Sequence, residues 1–126
     1  MNKKFATAIN CIDGRTQEPV INYIKNGYDI NYIDMITEPG PNKILAENTD
    51  IVTMESLKNK IGISIEKHSS ELIAIAGHYD CAANAVDDNI QKDQLKKAKG
   101  IVSSWGFDVE IIALWLDENF KPNLVN

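Results

Sequence analysis

Four short apolar runs punctuate this chain: Phe5 to Ile12, Tyr28 to Ile36, Leu72 to Ala76 and Val109 to Leu116. Each reads as a strand: the first and third as buried strands covered on both faces, the second alternating imperfectly through Ile30, Tyr32/Ile33 and Met35, and the fourth as the most apolar. The intervals between them carry helical patterns. Thr16 can cap a first helix with Pro19 in its first turn, Val20, Ile21 and Ile24 on one face, and Asn26-Gly27 as its stop. Thr37-Glu38-Pro39-Gly40-Pro41-Asn42 reads as a stiff, non-helical loop, followed by a short helical turn at Ile44 to Asn48. From Asp50 to His68, the spacing of Met54, Leu57, Ile61 and Ile65 predicts one long amphipathic helix, interrupted only by Gly62. Asp88 and Gln91 predict a capping-box variant that opens a helix carrying Ile90, Leu95, Ala98, Ile101, Val102 and Trp105, and ending at Gly106. Asp117 to Asn126 reads as a turn and a tail with a short edge strand.

Alternation of this kind specifies an α/β fold, here a four-stranded, mainly parallel sheet flanked by helices and linked by right-handed crossovers. The length of 126 residues suits a single domain, 1–126. In such sheets ligands sit at the carboxyl ends of strands, where the strand order reverses. If strands one and three are neighbours, the order is 2-1-3-4 and the reversal falls between them.

Those two strands end in the most unusual residues of the chain. Cys11-Ile12-Asp13-Gly14-Arg15 and Gly77-His78-Tyr79-Asp80-Cys81 hold both cysteines, one of two histidines and the only arginine. Two thiolates and an imidazole from Cys11, His78 and Cys81 suit zinc, and three protein ligands leave a fourth position free. Zinc can lower the pKa of a bound water to ~7, which is the basis of hydrolytic and hydrating zinc sites. Asp13 stands two residues beyond Cys11, on the same side of an extended strand. It could accept a hydrogen bond from such a water or fill the fourth position itself; Arg15 could pair with it and hold it back. Taken singly these residues have plainer readings: a buried Cys is usually a small hydrophobe, and an Asp–Arg pair is often a surface contact worth little. Their conjunction at two strand ends is what points to a metal. His68 has no such company and reads as a solvated residue near a helix C-terminus.

Charge and cysteine content exclude other classes. A net charge of −5 with scattered lysines lacks the basic face of a nucleic-acid binder. No apolar run approaches the ~20 residues needed to cross a bilayer. Met1 to Lys4 lead directly into a segment too short for a signal sequence, and two cysteines do not make a disulfide scaffold, so the expected location is cytoplasmic. A phosphate loop built on Cys11 does not fit, because Arg15 follows only four residues on, and the cysteines do not form a Cys-x-x-Cys redox pair.

The two clusters resemble the paired signatures of the β-class carbonic anhydrases, a Cys-x-Asp-x-Arg stretch after the first strand and a Gly-His-x-x-Cys stretch after a later one. The resemblance implies zinc on Cys11, His78 and Cys81, an Asp13–Arg15 dyad, hydration of CO2 to bicarbonate, and a homodimer or higher homo-oligomer. Family members usually begin with helices that wrap the partner subunit, whereas this sequence starts at its first strand, and two further departures lie near the clusters. The loop Thr37 to Asn42 replaces an Arg-Asn-Ala-Gly stretch, and Ala82 stands where a glycine normally follows the second cysteine. Gly40, Tyr79 and Ala82 are therefore the candidate pocket residues. The same site could instead act on a CO2-like molecule such as carbonyl sulfide or carbon disulfide, or persist in a non-catalytic zinc-binding or anion-sensing protein.

Overall fold

A computed structural model describes residues 3–126. The outermost position in its sheet belongs to β2 (Tyr32–Glu38), which pairs in parallel with β1 (Phe5–Cys11). Next come β3 (Leu72–His78), β4 (Glu110–Leu116) and a short antiparallel β5 (Pro122–Val125), so the order is β2-β1-β3-β4-β5. The expected order 2-1-3-4 is present, and the tail contributes a fifth strand beyond it.

Side-chain size separates the two faces of the sheet. On one, Ile9, Ile36, Ile73, Ile75 and Trp115 pack against Leu45 of α2 (Pro41–Glu47), Met54, Leu57 and Ile61 of α3 (Ile51–His68), and Leu95, Ala98 and Val102 of α4 (Asp88–Ser104). On the other, Ala6, Ala8, Ala74 and Ala76 form a shallow stripe that receives Val20 and Ile24 of α1 (Gln17–Tyr28). Alternation along each strand distributes its residues between these two cores. Among the described residues no helix is long and apolar enough to cross a membrane.

Several boundaries differ from the sequence reading, for local reasons. α1 runs through Gly27 to Tyr28, because Asp29 rather than Gly27 takes the left-handed capping conformation at φ 55°. β2 accordingly starts at Tyr32, not Tyr28. The supposed non-helical loop already contains a helix start: Gly40 caps α2 at φ 58° and Pro41 opens it, where its missing N–H costs nothing. The cap of α4 is Asp87, whose carboxylate accepts from Ile90 N, and Gln91 points inward instead of closing a capping box. α3 is continuous through Gly62, as its periodicity predicts.

The sheet opens where its order reverses. The β1–β3 ladder runs from Thr7↔Ile73 to Ile9↔Ile75, then stops short of the ends of both strands. Beyond it lie Cys11 and His78. Their strands are still held on the outer sides, Cys11 opposite Glu38 and His78 opposite Leu116. A crevice between β1 and β3 is the result.

Candidate metal centre

Ladder hydrogen bonds lost at the crevice are replaced by side chains. Asn10 Oδ1 accepts from Cys11 N at 3.0 Å, and Gln17 Nε2 donates to Cys11 O at 2.7 Å. The second asparagine group, Nδ2, donates to Thr16 O at 3.3 Å and ties β1 to the start of α1. Across the crevice, Gln91 Nε2 donates to His78 O at 2.9 Å and to Asn84 O at 3.3 Å, bracketing the loop that carries Cys81. Tyr79 N donates to Leu116 O at 2.9 Å, so this loop leaves β3 still attached to β4.

These supports bring Cys11, His78 and Cys81 together, with one ligand-type atom from each lying within 4.8 Å of the others. The two sulfurs are 4.0 Å apart. Exposure is 4% for each cysteine and 1% for His78, so the cluster is buried.

His78 Nδ1 lies 2.7 Å from Tyr79 O, and a carbonyl can only accept, so Nδ1 carries the proton. That leaves a lone pair on Nε2 in the neutral ring. Nε2 is the one buried side-chain polar atom among the described residues without a hydrogen-bond partner. Such an orphan is costly unless something binds it. A lone pair aimed among two thiols, with the other ring nitrogen fixed by a carbonyl, fits a zinc ion: soft sulfur and imidazole donors, one of them oriented from behind.

The electrostatics of the trio are asymmetric. Burial pushes the Cys11 thiol up, but the neighbouring His78 imidazole and the main-chain N–H groups of Gly40 and Asp13 outweigh it and leave Cys11 at about 7. Burial raises Cys81, and the adjacent charge of Cys11 adds to it. For His78 burial works downward, yet Cys11 and the Tyr79 carbonyl outweigh it and the net shift is upward. Metal binding needs deprotonated thiols, and Cys11 is the one already close to that state.

Asp13 and Arg15 form the expected pair. Nη2 of Arg15 donates to Asp13 Oδ2 at 2.7 Å, and Nε donates to Oδ1 and Oδ2 at 3.1 and 3.3 Å. The main-chain N of Arg15 also donates to Oδ1 at 2.9 Å, so the carboxylate is gripped by backbone and side chain of one residue. The guanidinium holds the Asp13 carboxyl down at about 2, against an opposing contribution from burial.

The candidate pocket residues differ in exposure. Tyr79 is exposed and lines a hollow of about 370 Å³ with Asp80, Cys81 and Ala85 to Asp88. Ala82 is exposed, and Gly40 is buried against Ala83 and Asn84, where a Cβ would stand 3.2 Å from Asn84 Cβ. His68 is exposed at the C-terminal end of α3, and it also has partners. Its Nδ1 lies 2.6 Å from Asp34 Oδ2, and its ring packs on Phe5 at 4.4 Å between centroids. Three residues that the sequence does not single out as candidates reach this region, Asp80 and Phe120 beside Arg15 and Gln91 at His78 O. Only Asp80 carried a signal, its place inside the second motif.

A family model described as "Putative carbonic anhydrase" matches residues 1–126. The chain belongs to the carbonic anhydrases. Two similar solved structures are β-carbonic anhydrases. Isoform I from the protozoan Trichomonas vaginalis has a TM-score of 0.60 at 17% identity, with 94% of this chain and 81% of that one covered. CafA of the fungal pathogen Aspergillus fumigatus has a TM-score of 0.52 at 14% identity, with 100% and 76% covered. No functionally curated protein matches the chain. The chain thus has the fold of the β-carbonic anhydrases, a mostly parallel five-stranded sheet flanked by helices, and a Cys-His-Cys group capable of holding a metal.

Proposed function

We propose that this chain is a zinc-dependent enzyme interconverting CO2 and bicarbonate, with Cys11, His78 and Cys81 as zinc ligands. The observation that carries this reading is the orphaned His78 Nε2 buried beside two thiols at the mouth of the β1–β3 crevice. When bound, zinc would supply Lewis acidity, lowering the pKa of a water to ~7 so that a nucleophile is available at neutral pH.

The remaining work falls to side chains. Arg15 engages both oxygens of Asp13 and keeps the carboxylate ionised across the neutral range. A group held at about 2 is too weak a base to take a proton efficiently near pH 7. Asp13 therefore serves as an acceptor: its unused lone pairs orient the reacting water, and the released proton passes to solvent. Gln17 and Asn10 fix the Cys11 main chain, and Gln91 fixes that of His78, so neither ligand needs to reorganise.

The homo-oligomer implied by the family belongs to the same proposal. β2 is an edge strand of seven residues whose outer side has no strand partner among the described residues. Sedimentation equilibrium should return at least twice the chain mass, and a monomer at all concentrations would remove the oligomer.

Stopped-flow CO2 hydration on zinc-quantified protein tests the main reading, with Cys81→Ala as the blank. Zinc near one per chain and a rate rising with pH through the neutral range are expected. Asp13→Asn should keep its zinc and lose about 10-fold or more of the rate. Full zinc occupancy with no rate above the blank would overturn CO2 hydration and move the search to carbonyl sulfide and carbon disulfide, or to a sensing role. Absence of zinc binding would overturn the site itself.

A further inference from the structure

Five non-glycine residues among those described adopt positive φ: Asp29, Asn48, Ser69, Asp80 and Phe120. The first three are the left-handed C-caps of α1, α2 and α3, an ordinary way to end a helix. Asp80 and Phe120 cap nothing. Both instead touch the same side chain, Arg15.

Asp80 lies in the loop between His78 and Cys81, at φ 58°. Its Oδ2 accepts from Arg15 Nη1 at 3.3 Å and its main-chain oxygen accepts from Nη2 at 3.2 Å. Phe120 lies in the turn between β4 and β5, at φ 56°. Its ring centroid is 4.6 Å from Arg15 Cζ and 6.0 Å from the centroid of the His78 ring. An aromatic residue in the left-handed region is strained, and persists only where its surroundings hold it there.

The turn is built to hold Phe120. Asp117 O accepts from Phe120 N at 2.8 Å, and Asp117 Oδ1 accepts from Asn119 N and Lys121 N at 2.9 and 3.1 Å. Asp117 Oδ2 takes Asn123 Nδ2 at 3.1 Å, which anchors the turn to β5. Glycine would fit the backbone of Phe120 without strain, so the ring is what the strained position retains.

Arg15 is a long side chain, about half exposed, with many rotamers to lose. A strained aromatic and a left-handed aspartate, from two separate loops, remove that freedom. We propose that Asp80 and Phe120 are positioning residues that lock the Arg15 guanidinium onto Asp13, and so hold the Asp13 carboxylate back from a metal carried by Cys11, His78 and Cys81. This rests on the reading of that trio as the metal centre. Without the ring and the Asp80 acceptors, Arg15 can leave the pair, and a freed carboxylate two residues from Cys11 can compete for the fourth ligand position.

The test uses the full chain loaded with cobalt(II), whose visible absorption changes when a water ligand is replaced by a carboxylate. Arg15→Ala supplies the reference for a released Asp13. Phe120→Gly relieves the backbone and should fold; its cobalt spectrum should move most of the way to that of Arg15→Ala. Asp80→Asn should move it in the same direction but less, because the main-chain acceptor remains, and Phe120→Tyr should restore the original spectrum. In Phe120→Gly combined with Asp13→Asn the shift should vanish, which no general loosening of the fold would produce. With zinc, Phe120→Gly should lose about 10-fold or more of its hydration rate. An unchanged spectrum in folded, cobalt-loaded Phe120→Gly overturns the lock and leaves the metal centre standing, as does a shift that survives Asp13→Asn. Cobalt binding without CO2 hydration in the parent chain sinks only the proposed reaction, and the spectra still decide the lock. A chain that takes up no cobalt overturns the metal centre and the lock with it.

Discussion

Gln91 reaches from α4 to donate to the main-chain oxygen of His78 at 2.9 Å. The same Nε2 reaches Asn84 O, and its Oε1 accepts from Asn42 Nδ2 at 3.2 Å, so one amide ties α2, α4 and the loop bearing Cys81 to the end of β3. All of Asn42, Asn84 and Gln91 are buried. Replacing Gln91 with Leu would keep the volume and remove the side-chain donor to His78 O, while Asn84 O keeps Val86 N at 2.9 Å and Asn42 Nδ2 keeps Gln94 Oε1 at 3.1 Å. Unsatisfied buried polar groups cost about 1–3 kcal/mol each, and partners of metal ligands typically influence affinity by about 10–100-fold. Gln91→Leu should therefore unfold at lower urea concentration and lose about 10-fold or more in zinc affinity by competition with a chelator. A variant with parental zinc affinity would reduce this amide to a packing element.

Gly77 has a different reason to be small. A Cβ there would stand 3.0 Å from Gln91 Oε1 and 3.1 Å from Asn42 Nδ2, atoms that cannot retreat without breaking the amide network. Overpacking of this kind costs about 1–3 kcal/mol. Gly77→Ala should destabilise the fold and weaken metal binding together. Gly62 in α3 is the contrasting case, since a Cβ there meets nothing within 4 Å. Gly62→Ala should gain about 0.5–1 kcal/mol from helix propensity alone, with metal affinity unchanged. Equal effects of the two substitutions, read from urea midpoints, would refute this division.

What the sequence reveals here follows from how far each signal must travel. β3 is buried at every position and β1 at six of seven, so apolarity without period marks both as central strands. Cys11, His78 and Cys81 stand out because the rarest residue types of the chain end those strands. Gln91 is concealed because a polar residue near a helix start looks like part of a cap, and its real partner is a main-chain oxygen 13 residues away. Phe120 is concealed more deeply. Its place beside Arg15 depends on β5 folding back antiparallel onto β4, in a tail segment with little pattern of its own. Gly27 misled as a helix stop because an aspartate, two residues on, accepted the left-handed cap.

A second buried polar cluster joins β1, β2 and α3 away from the metal centre. Thr7 Oγ1 donates to Ser64 Oγ at 2.6 Å, Ser70 pairs with the same oxygen, and Ser64 donates to Asp34 Oδ2 at 2.7 Å. Asp34 Oδ2 also meets His68 Nδ1. Ser64 is the shared node, so Ser64→Ala leaves the buried hydroxyls of Thr7 and Ser70 without it, at about 1–3 kcal/mol. Thr7→Val removes only one donor and leaves Ser64 its other two partners, so it should cost clearly less. Neither should alter zinc affinity. The order of the two urea midpoints checks the assignment, and a costlier Thr7→Val would contradict it.

Acid should distinguish the Asp13–Arg15 pair from the rest of the fold. Asp13 is held at about 2 by the Arg15 guanidinium, against ~3.9 for an unperturbed aspartate. A carboxyl whose folded pKa is depressed favours the folded state above its unfolded value, and that contribution disappears as pH falls through the folded value. The pair is partly exposed, with Arg15 at 49% and Asp13 at 22%, so screening by water and salt keeps its contribution small. Parent and Asp13→Asn should therefore differ in stability by a constant amount from about pH 8 down to about pH 5, and converge between about pH 4 and pH 2. Asp50 and Asp117 are also depressed, by hydrogen bonds from Thr53 and from Asn123, but they are present in both proteins and cancel. Urea unfolding at each pH, with a chelator present so that metal does not intervene, measures the difference directly. Raising the salt to about 1 M should shrink the plateau, because the Debye length falls to ~3 Å. A difference that stays flat down to pH 2, or grows on acidification, would place the stabilising effect of Asp13 outside its contact with Arg15.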